Sequence, residues 1–334
     1  MSTHTRFIAS LLSLLGYISV QSAYATEPSA INHYDNTCIN EALQHASGDV
    51  TLKELRESCL VKNTVETKIS PIEKRIQADQ LNQYNPFSIQ TYRPNYLLLG
   101  SYNFAGTNEK PYASSYSGND FFEPIEAKFQ ISLKIPVAEN LLNWGEHWFV
   151  AYTNRSFWQS YNSHISSPFR ETNHEPEAWV SFDNDWKISG WKNRQIDVGL
   201  VHQSNGQSNT LSRSWNRVYL RFSFEKENSV IIFKPWLRVP ESANDDDNPD
   251  ISHYMGDAEL TYLTKYTDHN FRIKLRNNLD AADNKGAIEV GYTYPINRNV
   301  NFYTQWFYGY GESLIDYNYR NNTLGIGVQF GNLF

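Results

Sequence analysis

Three residues of this 334-residue chain, His202, Ser204 and Asn216, have the types and the spacing of a nucleophile, its base and a group that orients the base. His202 and Ser204 are two apart, so on a strand both project from one side. Their parity is that of Ile196, Val198 and Leu200, the apolar set. On the following segment Asn216 has the parity of Val218, Leu220, Phe222 and Phe224, again the apolar set. A hairpin centred near residue 209 sets Asn216 opposite His202. Three polar groups then converge on a face that is otherwise apolar, where each is costly without a partner. One reading is catalysis: Ser204 attacks, His202 takes its proton, and Asn216 holds the imidazole in the required tautomer. The other is a hydrogen-bonded cluster at the rim of a sheet, and the spacing leaves both open.

The elements that must carry these residues are strands. Phe129, Ile131, Leu133, Ile135 and Val137 alternate with Lys128, Gln130, Ser132 and Lys134, a period of two with one apolar and one polar side. Comparable segments are expected at 95–102, 148–158, 177–182, 196–204, 214–224, 229–239, 258–266, 270–277, 286–294, 300–310 and 322–334, which with 126–137 makes twelve. The expected inner turns, Glu225–Asn228, Thr267–His269 and Pro295–Asn299, are short. The expected outer connections at 103–125, 159–176, 240–257 and 311–321 are long. That asymmetry belongs to outer-membrane barrels. The last segment places Leu324, Ile326, Val328, Phe330 and the terminal Phe334 on one parity. The fold expected is all-β: a twelve-stranded antiparallel transmembrane β-barrel with a small N-terminal periplasmic arm.

Composition agrees. The chain carries 29 Lys+Arg against 36 Asp+Glu, a formal net charge of -7, which argues against a nucleic-acid partner. Mean hydropathy is -0.57, too polar for a helical membrane protein but not for a barrel whose strands are apolar on one side only. The 9 Trp, 22 Tyr and 18 Phe are many for so polar a chain and suit such a barrel. At the N-terminus, His4 and Arg6 precede an uncharged, mostly apolar run from Phe7 to Val20, then Ala23-Tyr24-Ala25, which reads as a secretory signal over 1–25. Residues 26–90 form the expected arm and 91–334 the barrel. Cys38 and Cys59 both fall in the arm, where an oxidising compartment permits a bridge. Thr51-Leu52-Lys53-Glu54 has capping-box spacing for a short helix carrying Cys59.

Beyond these readings, the stretch His202-x-Ser204-Asn205-Gly206, continuing through Ser212-Arg213-Ser214-Trp215-Asn216-Arg217, resembles the signature of the outer membrane phospholipase A family. Ser166 to Asn173, Asp246-Asp247-Asn248-Pro249-Asp250 and Gly309 to Tyr317 resemble the family as well, so the similarity spans essentially all of 91–334. The resemblance implies a calcium-dependent hydrolase of phospholipid acyl esters (phospholipase A1/A2, also lysophospholipase). It implies an enzyme active as a homodimer in the outer membrane, with its site at the external leaflet. It puts catalysis on His202, Ser204 and Asn216, an oxyanion contact on the N–H of Gly206, and calcium ligands on Ser212, the carbonyl of Gln207 and Ser166 of a second copy. A second calcium position would be shared by Asp247 and residue 209. There the family has Asp and this chain has Asn209. An Arg is usual where Gln207 stands, and Asn154 occupies the place of a family Gln that bonds across the dimer. The competing function is a non-enzymatic pore or transporter barrel, which gives no reason for polar residues on the lipid face.

Overall fold

The computed structural model describes Thr51 and residues 70–82, 89–116 and 121–331. The expected signal segment, Cys38, Cys59, the helix after Thr51 and Phe334 lie outside the described residues. Twelve long strands follow one another in the chain: β1 (Asn95–Asn103), β2 (Ile125–Glu139), β3 (His147–Trp158), β4 (Phe169–Asp183), β5 (Trp191–Ser204) and β6 (Ser214–Lys226) form the first half. β7 (Ser229–Arg238), β8 (Ala258–Tyr266), β9 (His269–Asn277), β10 (Gly286–Pro295), β11 (Val300–Tyr310) and β12 (Arg320–Phe330) complete it. Each pairs antiparallel with the next, and β12 returns to pair with β1 from Thr323 against Asn103 to Phe330 against Asn95, closing the sheet. Closure leaves no long strand with an open edge, the condition for crossing a bilayer with strands. No helix among the described residues is long and apolar enough to cross a membrane.

The two sides of the wall are inverted relative to a soluble protein. On β2, Lys128 is 1% exposed and Ser132 0%, while Ile131 is 49% and Ile135 44%. The polar parity fills the interior and the apolar parity faces out, as it must when the surroundings are hydrocarbon. Buried charges are then paired inside. Glu177 accepts hydrogen bonds from the Tyr92 hydroxyl at 3.0 Å, Arg93 at 2.8 Å and Lys234 at 2.9 Å. Lys128 donates to Gln305 at 2.7 Å and to Glu312 at 2.8 Å.

Ten of the twelve strands begin within two residues of the expected positions. β4 begins eight residues before its expected start at 177. Its early part sends Arg170, Asn173 and Glu175 inward and Thr172, His174 and Pro176 outward, so there is no apolar parity to read. β5 starts at Trp191 rather than 196, through the polar run Lys192 to Gln195 and an irregularity in its pairing between Asn193 and Gln195. β12 stops at Phe330, where Gly331 takes a left-handed φ of +71°.

A helix that alternation could not reveal, α1 (Pro71–Asn82), accompanies the strands. Ser70 starts it: its hydroxyl accepts from the N–H of Glu73 at 3.1 Å, and Pro71 occupies the first turn, where an N–H is not needed. Ile72 and Ile76 pack with Val230, Ile232 and Leu263, Arg75 donates to the carbonyls of Thr91 and Tyr92, and Asp79 pairs with Lys134. The Ser70-Pro71-x-Glu73 pattern was the available signal.

One strand junction depends on glycine. β1 carries an extra residue, Leu99, because Ile326 pairs with Gly100 and Gly327 with Leu98. The bulge brings backbone against backbone: a Cβ on Gly327 would lie 2.0 Å from the Leu97 carbonyl oxygen and 2.7 Å from the Leu98 Cα. Neither neighbour is a flexible side chain that can turn away. Gly327→Ala is therefore expected to cost roughly 1–3 kcal/mol, as overpacking does. A lowered unfolding midpoint with unchanged denaturant slope would show it, and an unchanged midpoint would contradict the close approach.

Candidate active site

The ends of β5 and β6 and the loop 205–213 between them carry the candidate residues. The pairing is the one the spacing requires: His202 stands opposite Asn216, and Ser204 opposite Ser214. Between His202 and Ser204, Gln203 points the other way and accepts a hydrogen bond at 2.8 Å from the indole N–H of Trp215, which is fully buried. That interior bond pins the parity, since a slip of one residue would exchange the two faces. His202 and Ser204 are thereby held outward.

His202 Nδ1 lies 2.8 Å from Asn216 Oδ1. An amide oxygen only accepts, so the hydrogen of this bond sits on Nδ1. In the neutral ring that leaves the lone pair on Nε2, on the face of β5 that also carries Ser204, the arrangement a general base needs. The other end of the amide is also engaged: Asn216 Nδ2 donates to Glu241 Oε1 at 2.9 Å.

The loop that follows is built on Asn205, 3% exposed. Its side-chain oxygen accepts from the N–H of Arg213 at 3.0 Å, and its amide nitrogen donates to the carbonyl of Leu211 at 2.8 Å. Gly206 sits at φ +64°, and a Cβ there would meet the ring of His174 at 3.6 Å. His174 lies on β4 in register with Ser204 on one side and Asn154 of β3 on the other, and its Nδ1 is 2.6 Å from the Tyr152 hydroxyl. Asn154 accepts from the Ser156 hydroxyl at 3.0 Å.

Further out, the Ser212 hydroxyl donates to Asp247 at 2.5 Å, joining the loop to segment 239–257. That segment is fastened by Asn248, whose side-chain oxygen accepts from the N–H of Ser214, and by the pair Arg238–Asp246 at 2.6 Å. Below it Tyr317 donates to Asp250 at 2.5 Å. Burial, reinforced by that bond, pushes the Tyr317 hydroxyl up from its ordinary range. Asn209 takes φ +56° at the start of a turn through Leu211. Ser166 is exposed, at φ +63°, in loop 159–168. No cluster of three His, Cys, Asp or Glu side chains suited to a metal occurs among the described residues. The oxygen donors on hand are hydroxyls, backbone carbonyls and single carboxylates, a set that suits a hard cation rather than a transition metal.

Two residues of this surface escape a reading of the sequence. His174 falls in a stretch expected to be loop, and Glu241 in a long connection with no periodicity.

The model of the phospholipase A1 family matches residues 72–330, essentially the whole barrel with α1. The chain belongs to the phospholipase A1 family. As a member it is an esterase of the bacterial outer membrane, and the passive-pore alternative falls away. It is 37% identical over 287 residues to phospholipase A1 of Escherichia coli, covering 86% of this chain and 93% of that protein. Two solved structures superpose on it. The first, an active-site asparagine-to-alanine variant of outer membrane phospholipase A from Escherichia coli, has a TM-score of 0.71 at 39% identity over 77% of this chain and 97% of that one. The second, the Salmonella typhi outer membrane phospholipase described as a dimer with bound calcium, has a TM-score of 0.70 at 38% identity over 76% and 97%.

Proposed function

We propose that this phospholipase A1 family member hydrolyses the acyl esters of phospholipids through Ser204, His202 and Asn216, with calcium and as a homodimer. The observation that carries the reading is the 2.8 Å contact between His202 Nδ1 and Asn216 Oδ1 on the outward, apolar face of the barrel, two residues from Ser204. A serine, its base and the base's orienting group facing outward can meet a lipid that never leaves the membrane. Ser204 Oγ attacks the ester carbonyl while His202 Nε2 accepts its proton. Asn216 holds the ring and takes no part in bond making. The N–H of Gly206 donates to the developing oxyanion. Collapse breaks the bond to the lysophospholipid oxygen, which takes the proton from His202. Water, activated by the same imidazole, then releases the fatty acid from Ser204.

Calcium would be held by Ser212, the carbonyl of Gln207 and Ser166 of a second copy. Bound there, it would supply positive charge close to the oxyanion through a retained water. A second calcium position would involve Asp247, which already touches Ser212, and Asn209. The Asp-to-Asn difference at 209 removes a charged ligand, and fewer charged ligands mean weaker calcium binding. The dimer interface would include Asn154, shorter than the family Gln.

Hydrolysis of micellar phospholipid by purified protein, with calcium and with a chelator, tests the activity. The calcium reading makes a further prediction. Activation should track dimer formation, with little calcium bound to monomer beforehand, and Asn209→Asp should tighten calcium binding by the monomer about tenfold or less, the effect of one carboxylate. Calcium titration in detergent, with crosslinking as the readout of dimer, checks both. Tight binding by the unaltered monomer would show that Asn209 is no handicap.

A further inference from the structure

We infer that Glu241 is a fourth member of this hydrogen-bonded chain, a positioning residue that decides which end of the Asn216 amide faces His202. The inference rests on the triad reading above and extends it. An aspartate at position 216 would offer oxygen whichever way it turned. An asparagine has one oxygen and one NH2, and the two orientations have opposite consequences. With Oδ1 toward His202, Nδ1 carries the proton and Nε2 is a base. With Nδ2 toward His202, Nδ1 must accept, the proton moves to Nε2, and the ring cannot take a proton from Ser204. Half of the simple orientations of this side chain are therefore inactive.

Glu241 removes the ambiguity. Its Oε1 lies 2.9 Å from Asn216 Nδ2, and an ionised carboxylate only accepts, so the NH2 must face it and the oxygen must face His202. A hydrogen bond to a charged acceptor is also stronger than a neutral one. The carboxylate is brought there by backbone. β7 runs beside β6 with Arg238 opposite Arg217, and beyond its end the N–H of Val239 still bonds the carbonyl of Asn216 at 2.8 Å. Pro240 comes next and fixes the chain direction, and Glu241 follows. The same carboxylate polarises the amide toward Oδ1, where positive charge appears when the imidazole takes the proton of Ser204. The charge that an aspartate would place directly against the ring is here held one side chain further away.

The test is a double-mutant cycle on the full-length protein in detergent micelles with saturating calcium. Glu241→Ala should lower kcat about tenfold with KM and the calcium midpoint unchanged. Glu241→Gln restores an acceptor without the charge and should recover part of the loss. In an Asn216→Ala background, Glu241→Ala should change kcat less than twofold, because the group it positions is gone. Losses that multiply in the double variant would overturn the inference, as would a shifted calcium midpoint with kcat intact, which would make Glu241 a metal ligand instead. If Asn216→Ala alone leaves kcat unchanged, the triad reading falls and not only this extension. The shift in electrophoretic mobility between heated and unheated protein confirms a folded barrel for each variant.

Discussion

Ser204→Ala is expected to lower phospholipid hydrolysis by roughly 10⁴- to 10⁶-fold, the range for loss of a triad nucleophile. Ser214 pairs opposite it on β6 and shares its face, so it is the serine that a labelling experiment must exclude. The barrel should be indifferent to the change, since the parity of β5 is pinned from inside by Gln203 and Trp215 and the lost hydroxyl lies on the outward face. A sulfonyl fluoride should label Ser204 alone among the serines. Asn216→Ala should be milder than either Ser204→Ala or His202→Ala, because it orients the base without sharing in bond making. Turnover retained by the Ser204 variant, or labelling of another serine, would sink the assignment.

Glu177→Ala should produce the largest loss of stability, about 3–5 kcal/mol, because it strips the partner from buried cations. Glu177 is 4% exposed and binds Tyr92, Arg93 and Lys234 inside the barrel. Arg93 would keep Glu175 at 2.8 Å, but Lys234 would be left facing Tyr219 and other cations. The alternative of replacing the whole cluster by apolar residues could be neutral, so the cost belongs to the broken pairing rather than to the pairs themselves. Glu177→Gln keeps the shape and removes the charge, and should fall between. The measurement is the unfolding midpoint of the detergent-solubilised barrel. A midpoint within error of the parent protein would mean that water or a neighbouring carboxylate replaces Glu177 at no cost.

Alternation determined which side of each strand faces out, because side-chain direction in a strand is a property of each residue's own backbone, and the unequal connections then marked the sheet as a barrel. Lys128 against Ile131 already distinguishes the two sides, and the inversion of polar and apolar faces follows once the surroundings are lipid. The same local rule brought His202, Ser204 and Asn216 to one face, since a hairpin's register is set by the short segment between its strands. Where both parities are polar, as from Arg170 to Glu175, the rule has nothing to act on, and β4 extends through a stretch that reads as loop. Only the tertiary structure could decide what meets across distant segments: His174 against Gly206, Asp247 against Ser212, α1 against Val230 and Leu263, and Glu241 against Asn216. Such contacts depend on the path of irregular backbone and on how the wall curves. Neither has a period, so the residues proposed to aim and support the candidate site are hidden in the sequence, while the three proposed to do its chemistry stand in plain alternation.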